Sequence, residues 1–177
     1  MKILLPVISY YYLTGAELYV FELASELIRR GHEVTVVAMR IGGALEGPSR
    51  DAGIRVCAFG DQRAAGNFDM IHASEPIPTN WALSAHPFDP LICTIHSQYP
   101  CEQPVINPRI LHYVCIRPEV QQKVVNIDHI PAAKTSIIFN PVNFRGSGQY
   151  RPHSLMPGSG FCSAEPSIFY GVKLSSS

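Results

Sequence analysis

Residues 9–17 read SYYYLTGAE, and they join an apolar run (residues 3–8) to an amphipathic one (residues 17–30). A buried strand, a glycine-bearing turn and a helix, in that order, open a parallel α/β sheet. Ligands of such sheets bind in the crevice beyond the carboxyl ends of the strands. Gly15 is free to take a positive φ and lets backbone approach a ligand without Cβ interference. The amides that open the next helix carry partial positive charge and suit a phosphate or a carboxylate. Thr14 fits the N-cap position, and Glu17 three residues on completes a capping-box pattern. The stretch thus specifies a kind of ligand but no reaction.

Outward from it, Leu18, Phe21, Leu23, Ala24, Leu27 and Ile28 recur at helical spacing, and Gly31 stops the helix. Residues 33–38 (EVTVVA) form a second strand rich in β-branched side chains. A weak helix is expected over 44–52, and a third strand over 54–58. Residues 68–73 (FDMIHA) read as strand four, with His72 near its carboxyl end. Pro76 and Pro78 then precede a helix over 79–85, and strand five (residues 91–95, LICTI) ends in His96-Ser97. Residues 98–108 hold three prolines and no period, which predicts a loop on the crevice side. Strand six covers 109–116, Pro118 opens a helix to Asn126, and strand seven covers 135–139. This alternation gives the α/β class: a Rossmann-like, open, mostly parallel sheet flanked by helices, with right-handed crossovers. Half of residues 146–177 are Gly, Ser or Pro, so residues 144–177 are expected to be an irregular, disordered or loosely attached tail.

Bulk properties exclude several classes. The 177 residues suit one ordinary domain. Lys+Arg and Asp+Glu balance at 14 each, which removes the electrostatic case for a nucleic-acid binder. Five cysteines, an odd number without a C-x-x-C pair, predict a reduced, cytoplasmic chain. The N-terminal apolar run is far shorter than the roughly 20 residues of a membrane span, and it lacks a signal-cleavage pattern. Cys93 and His96 make an incomplete ligand set, so neither a metal nor a cofactor is expected. The glycine turn has no G-x-G-x-x-G, and Ser97 has no G-x-S-x-G context.

Five segments stand in register: the strand–TGAE–helix start, RRGHEVTVVA, FDMIHAS, TIHS and SIIFNPVN. Together they resemble the N-terminal half of retaining GT-B glycosyltransferases of the glycosyltransferase-4 type, over residues 1–143. The resemblance implies two facing Rossmann-like domains, the first chiefly holding the acceptor and the second most of the nucleotide-sugar. By it, Gly15, with Thr14, Ala16 and Glu17 in the same turn, lies beside the donor phosphate and the acceptor. His96, with Ser97, lies near the donor sugar, and His72, Ser74 and Glu75 shape the acceptor pocket. Read from the residues alone, the alternatives are a histidine bonded to nearby backbone for His96 and a half-buried strand end for His72, while Glu75 reads first as a solvated loop charge. The family's second domain, with its basic diphosphate clamp and paired glutamates, has no counterpart after Asn143. The expectation is therefore a truncated transferase with little activity alone, its partners a nucleotide-sugar, an unknown acceptor and a separate second domain. The alternative is a non-catalytic binding module or one half of a split enzyme. Tyr10, Tyr11 and Tyr12 are expected to narrow the pocket, and any membrane contact to be peripheral.

Overall fold

The computed structural model describes residues 1–140, so the expected tail over 144–177 lies outside the described residues. Seven strands form one sheet: β1 (Lys2–Tyr10), β2 (Glu33–Ile41), β3 (Arg55–Ala58), β4 (Met70–Ala73), β5 (Leu91–Ile95), β6 (Ile110–Cys115) and β7 (Thr135–Ile137). Four α-helices connect them: α1 (Gly15–Arg29), α2 (Glu46–Asp51), α3 (Pro76–Ala85) and α4 (Pro118–Asn126). The strand order is β3-β2-β1-β4-β5-β6-β7, with every pairing parallel. This is the expected Rossmann-like architecture.

Strands buried on both faces explain the continuous apolar runs of the sequence. Ile3, Leu5 and Val7 of β1 join Val34, Val36 and Ala38 of β2 under Val20 and Ala24 of α1. The alternate residues, Leu4 and Val37 with Ile71 and Leu91, belong to a second cluster that holds Ala82 of α3 and Val120 and Val124 of α4. Arg109 locks the α3 end: its two terminal nitrogens donate to the carbonyls of Leu83 and His86, each at 2.6 Å. Those carbonyls are among the helix-end acceptors that a helix cannot satisfy internally.

Several boundaries differ from the sequence reading. β2 runs on to Ile41 because β1 extends equally far, pairing Ser9 with Arg40 and Tyr10 with Ile41. β4 starts two residues later than read, since the Phe68 amide donates to Asp89 (3.0 Å) instead of to a strand. α3 starts at Pro76, because prolines fit a first helical turn whose amides have no internal acceptor. Gly15 corrects a further expectation: it is the first residue of α1 and is absent from the positive-φ glycines.

Gly43 is the glycine with no alternative. At φ +66 it packs under the β1–α1 loop, and an added Cβ would overlap the Tyr11 carbonyl oxygen. Gly43→Ala is therefore expected to destabilise the domain by about 1–3 kcal/mol in urea unfolding. Gly15→Ala, whose Cβ would meet nothing within 4 Å, should stay within about 0.5 kcal/mol of the parent.

Candidate functional site

The sheet order reverses direction between β1 and β4: the chain leaves β1 toward β2 and leaves β4 toward β5. A crevice opens at such a point, beyond the carboxyl ends of the two strands. β4 pairs with β1 only at Ile3–Met70 and Leu4–Ile71, so the upper part of β1 lacks a strand neighbour on that side. The Ile8 amide there donates to Glu75 Oε2 at 2.7 Å. Glu75 is thus half-buried and ties the loop after β4 to β1, which corrects its reading as a solvated charge. Burial pushes its pKa up, the Ile8 amide opposes this, and Glu102 and Glu17 add to the rise.

Glu17 organises the loop between β1 and α1. It is only 3 % exposed. Oε1 accepts from Ser9 Oγ (2.6 Å) and from the amides of Tyr12 (3.0 Å) and Tyr11 (3.1 Å). Oε2 accepts from the Thr14 amide and hydroxyl, both at 3.0 Å. Burial alone would raise its pKa, but these donors outweigh it and hold the carboxyl below the ordinary 4.5. The Glu17 half of the capping box is therefore real and extends across the whole loop. With Glu17 anchored inside, Thr14 and Gly15 stand exposed at the start of α1 and Ala16 is half-exposed. The amides of Gly15 and Ala16 have no partner among the described residues. Of the three tyrosines, Tyr10 turns into the core and its hydroxyl meets Ser49 Oγ at 3.0 Å. Tyr11 and Tyr12 instead flank the Arg40 guanidinium, at 4.5 and 4.8 Å from their ring centres.

Beneath α1, Tyr19 of that helix, His72 of β4, Thr94 of β5 and His96 just past β5 converge. His72 Nε2 lies 2.6 Å from Thr94 Oγ1, and the Tyr19 hydroxyl lies 3.2 Å from the same oxygen. The Tyr19 ring meets the His96 ring edge-on, centre to centre 4.7 Å. Burial, with a smaller push from His96, brings the His72 pKa down to about 4, so its imidazole is neutral near pH 7. Burial also lowers His96, against an opposing pull from Glu102. His96 Nε2 is buried with no partner among the described residues. Ser74 is buried, and Ser97 is buried with its Oγ accepting from the Tyr99 amide at 3.1 Å, which turns it into its own loop. The structure thus brings His72 and His96 together around Tyr19, one turn along α1 from Thr14, Gly15 and Ala16.

Tyr19, Thr94 and Glu102 escaped the sequence reading. Tyr19 falls within a helix of apolar period, Thr94 inside a buried strand, and Glu102 in a loop without period. The polar tips of Tyr19 and Thr94, set in otherwise apolar runs, were the available signal.

A charge held by five donors makes stability pH-dependent in a definite sense. Because the folded pKa of Glu17 is lowered, its contribution is complete above the unfolded value and is lost as pH falls toward the folded one. Glu17→Gln should cost about 2 kcal/mol or more at pH 7, since an amide places a donor among donors. The wild-type advantage over Glu17→Gln should shrink as pH drops below 4.5 in parallel denaturant titrations.

Comparison with known proteins places the chain. A family model described as Glycosyltransferase Family 4 matches residues 13–145. No curated protein matches the chain. Among solved structures, a glycosyltransferase from Rickettsia africae ESF-5 is similar, with a TM-score of 0.61 at 18% identity, over 78% of this chain and 42% of that one. The chain therefore spans less than half the length of that relative, and the likeness concerns fold alone. With the all-parallel sheet, its reversal at β1/β4 and the helix turn at Gly15, the match assigns the chain to glycosyltransferase family 4, as an N-terminal domain of that kind.

Proposed function

We propose that the domain forms the acceptor side of a retaining, GT-B type sugar transfer from a nucleotide-sugar donor. The observation that carries this reading is the start of α1. Gly15 leaves open space where a side chain would stand, and its amide and that of Ala16 are unpartnered among the described residues. The helix terminus suits a donor phosphate, and His96, packed against Tyr19 of the same helix, would orient the sugar. Catalysis of this class rests on positioning and on stabilising the departing diphosphate. A second, facing domain would hold most of the nucleotide-sugar. The free, buried thiols of Cys57, Cys93 and Cys115 support a reducing, cytoplasmic setting. No described helix is long and apolar enough to cross a membrane.

A second reading, a binding module that works with a separately supplied domain, is favoured by Ile138 and Phe139 past β7, which are 57% and 67% exposed. Calorimetric titration with UDP- and GDP-sugars separates the two. A half-site should bind one of them at about millimolar Kd, near 4 kcal/mol. Gly15→Val should abolish that binding without loss of fold. Binding unaffected by Gly15→Val would overturn the phosphate assignment, and no binding until a second domain is added would favour the module.

A further inference from the structure

At the carboxyl end of β2, beside the β1–α1 loop, one arginine is held in place by rings alone. Arg29, Arg55 and Arg63 reach carboxylates and Arg109 reaches carbonyls, whereas the Arg40 guanidinium makes no such contact among the described residues. It packs on the Tyr11 and Tyr12 rings, which meet edge-on with their centres 5.0 Å apart. Both sides of this clamp are fixed. Arg40 pairs with Ser9 across β1 and β2, and Glu17 accepts from the amides of both tyrosines. An arginine whose rotamer freedom is already restricted, with its planar fork of donors free, is preorganised for a carboxylate or a phosphate.

The same Tyr11 ring borders a cavity. A Cβ on Gly42 would stand 3.8 Å from that ring and 3.9 Å from Glu46 Oε2, so the glycine keeps the space between them open. The cavity there holds about 410 Å³. Its inner end carries the buried Tyr10 and Ser49, its wall the apolar Ile54 and Val56, and its rim the exposed Glu46 and Arg50. The Tyr10 and Ser49 hydroxyls, 3.0 Å apart, share one hydrogen bond, which uses one of their two protons and leaves the other free. Glu46 and Arg50 stand four residues apart in α2, in the favoured order for a helical ion pair. Neither is among the ion pairs of the described residues.

These groups discriminate among ligands. A bare anion would satisfy Arg40 but would face the Glu46 carboxylate. A neutral sugar would offer hydroxyls to Glu46 and to the Tyr10–Ser49 pair but would leave Arg40 without a partner. A sugar that carries an oxyanion answers both. We infer that this corner binds an anionic saccharide, phosphorylated or carboxylated, as the acceptor. Arg40 takes the oxyanion, and the cavity takes the hydroxylated ring. This rests on the proposed function above and names the acceptor class for it.

The test is an NMR titration of the full chain with glucose-6-phosphate, glucuronate, glucose and inorganic phosphate. Glucose-6-phosphate or glucuronate should bind about tenfold or more tightly than glucose and phosphate do. Which of the two binds separates a phosphate ligand from a carboxylate one. Arg40→Gln should weaken that binding about tenfold, and Arg40→Lys should recover only part of it, since an ammonium lacks the planar fork. Glu46→Gln should weaken the anionic sugar while phosphate binding does not fall. Arg40 and Glu46 are both exposed, so these variants should melt as the wild type does. Binding left unchanged by Arg40→Gln, or a loss carried by Arg50→Gln alone, would overturn the assignment. Equal affinity for glucose-6-phosphate and phosphate would also overturn it, since the site would then read no sugar. If none of the four probes binds while a UDP- or GDP-sugar does, the acceptor site is wrong and the transferase reading stands. If an anionic sugar binds and no sugar nucleotide does, the acceptor role falls together with that reading.

Discussion

One carboxylate holds the functional end of this domain in shape. Glu17 draws Ser9, Tyr11, Tyr12 and Thr14 onto two oxygens, so the amides of Tyr11, Tyr12 and Thr14 are satisfied as the loop crosses the top of the sheet. A loop this close to the core could not otherwise be left unsatisfied at tolerable cost. Once it is fixed, the direction in which α1 departs is fixed too. From that follow the exposure of Gly15 and the reach of Tyr19 across to Thr94 and His96.

The junction between the two halves of the sheet has a related economy. Where β4 stops short, Glu75 substitutes a side-chain acceptor for the strand that β1 lacks. The same carboxylate therefore closes the backbone ledger of β1 and lines the crevice. Burial raises its pKa, and the charges of Glu102 and Glu17 add to the rise. His72 and His96, both lowered chiefly by burial, present neutral imidazoles beside them.

The fold was legible because its signals are local. The capping pair Thr14 and Glu17, the apolar stripe of α1 and the β-branched second strand each lie within one element, and the alternation of elements follows from them. The site was legible only in part. Glu75 looked like a loop charge because its partner, the Ile8 amide, is 67 residues away. Tyr19 and Thr94 are 75 residues apart, so nothing in the period of either segment links them. Element ends misread for the same reason: Phe68 leaves its strand because Asp89, 21 residues on, captures its amide. Local propensity cannot register a hydrogen bond made across the fold.

The burial of Glu17 has one more consequence, for the thermodynamics of any anion that docks on α1. A helix N-terminus is worth roughly half a positive charge, and here a full negative charge already sits within its first turn. The local sum is therefore no longer positive. The amides of Gly15 and Ala16 keep their direction, so they can hold a phosphate in one orientation. With the field of the terminus offset, they attract it only weakly, in keeping with an affinity no better than about millimolar. At this corner of the crevice the domain supplies posture to such an anion more than attraction.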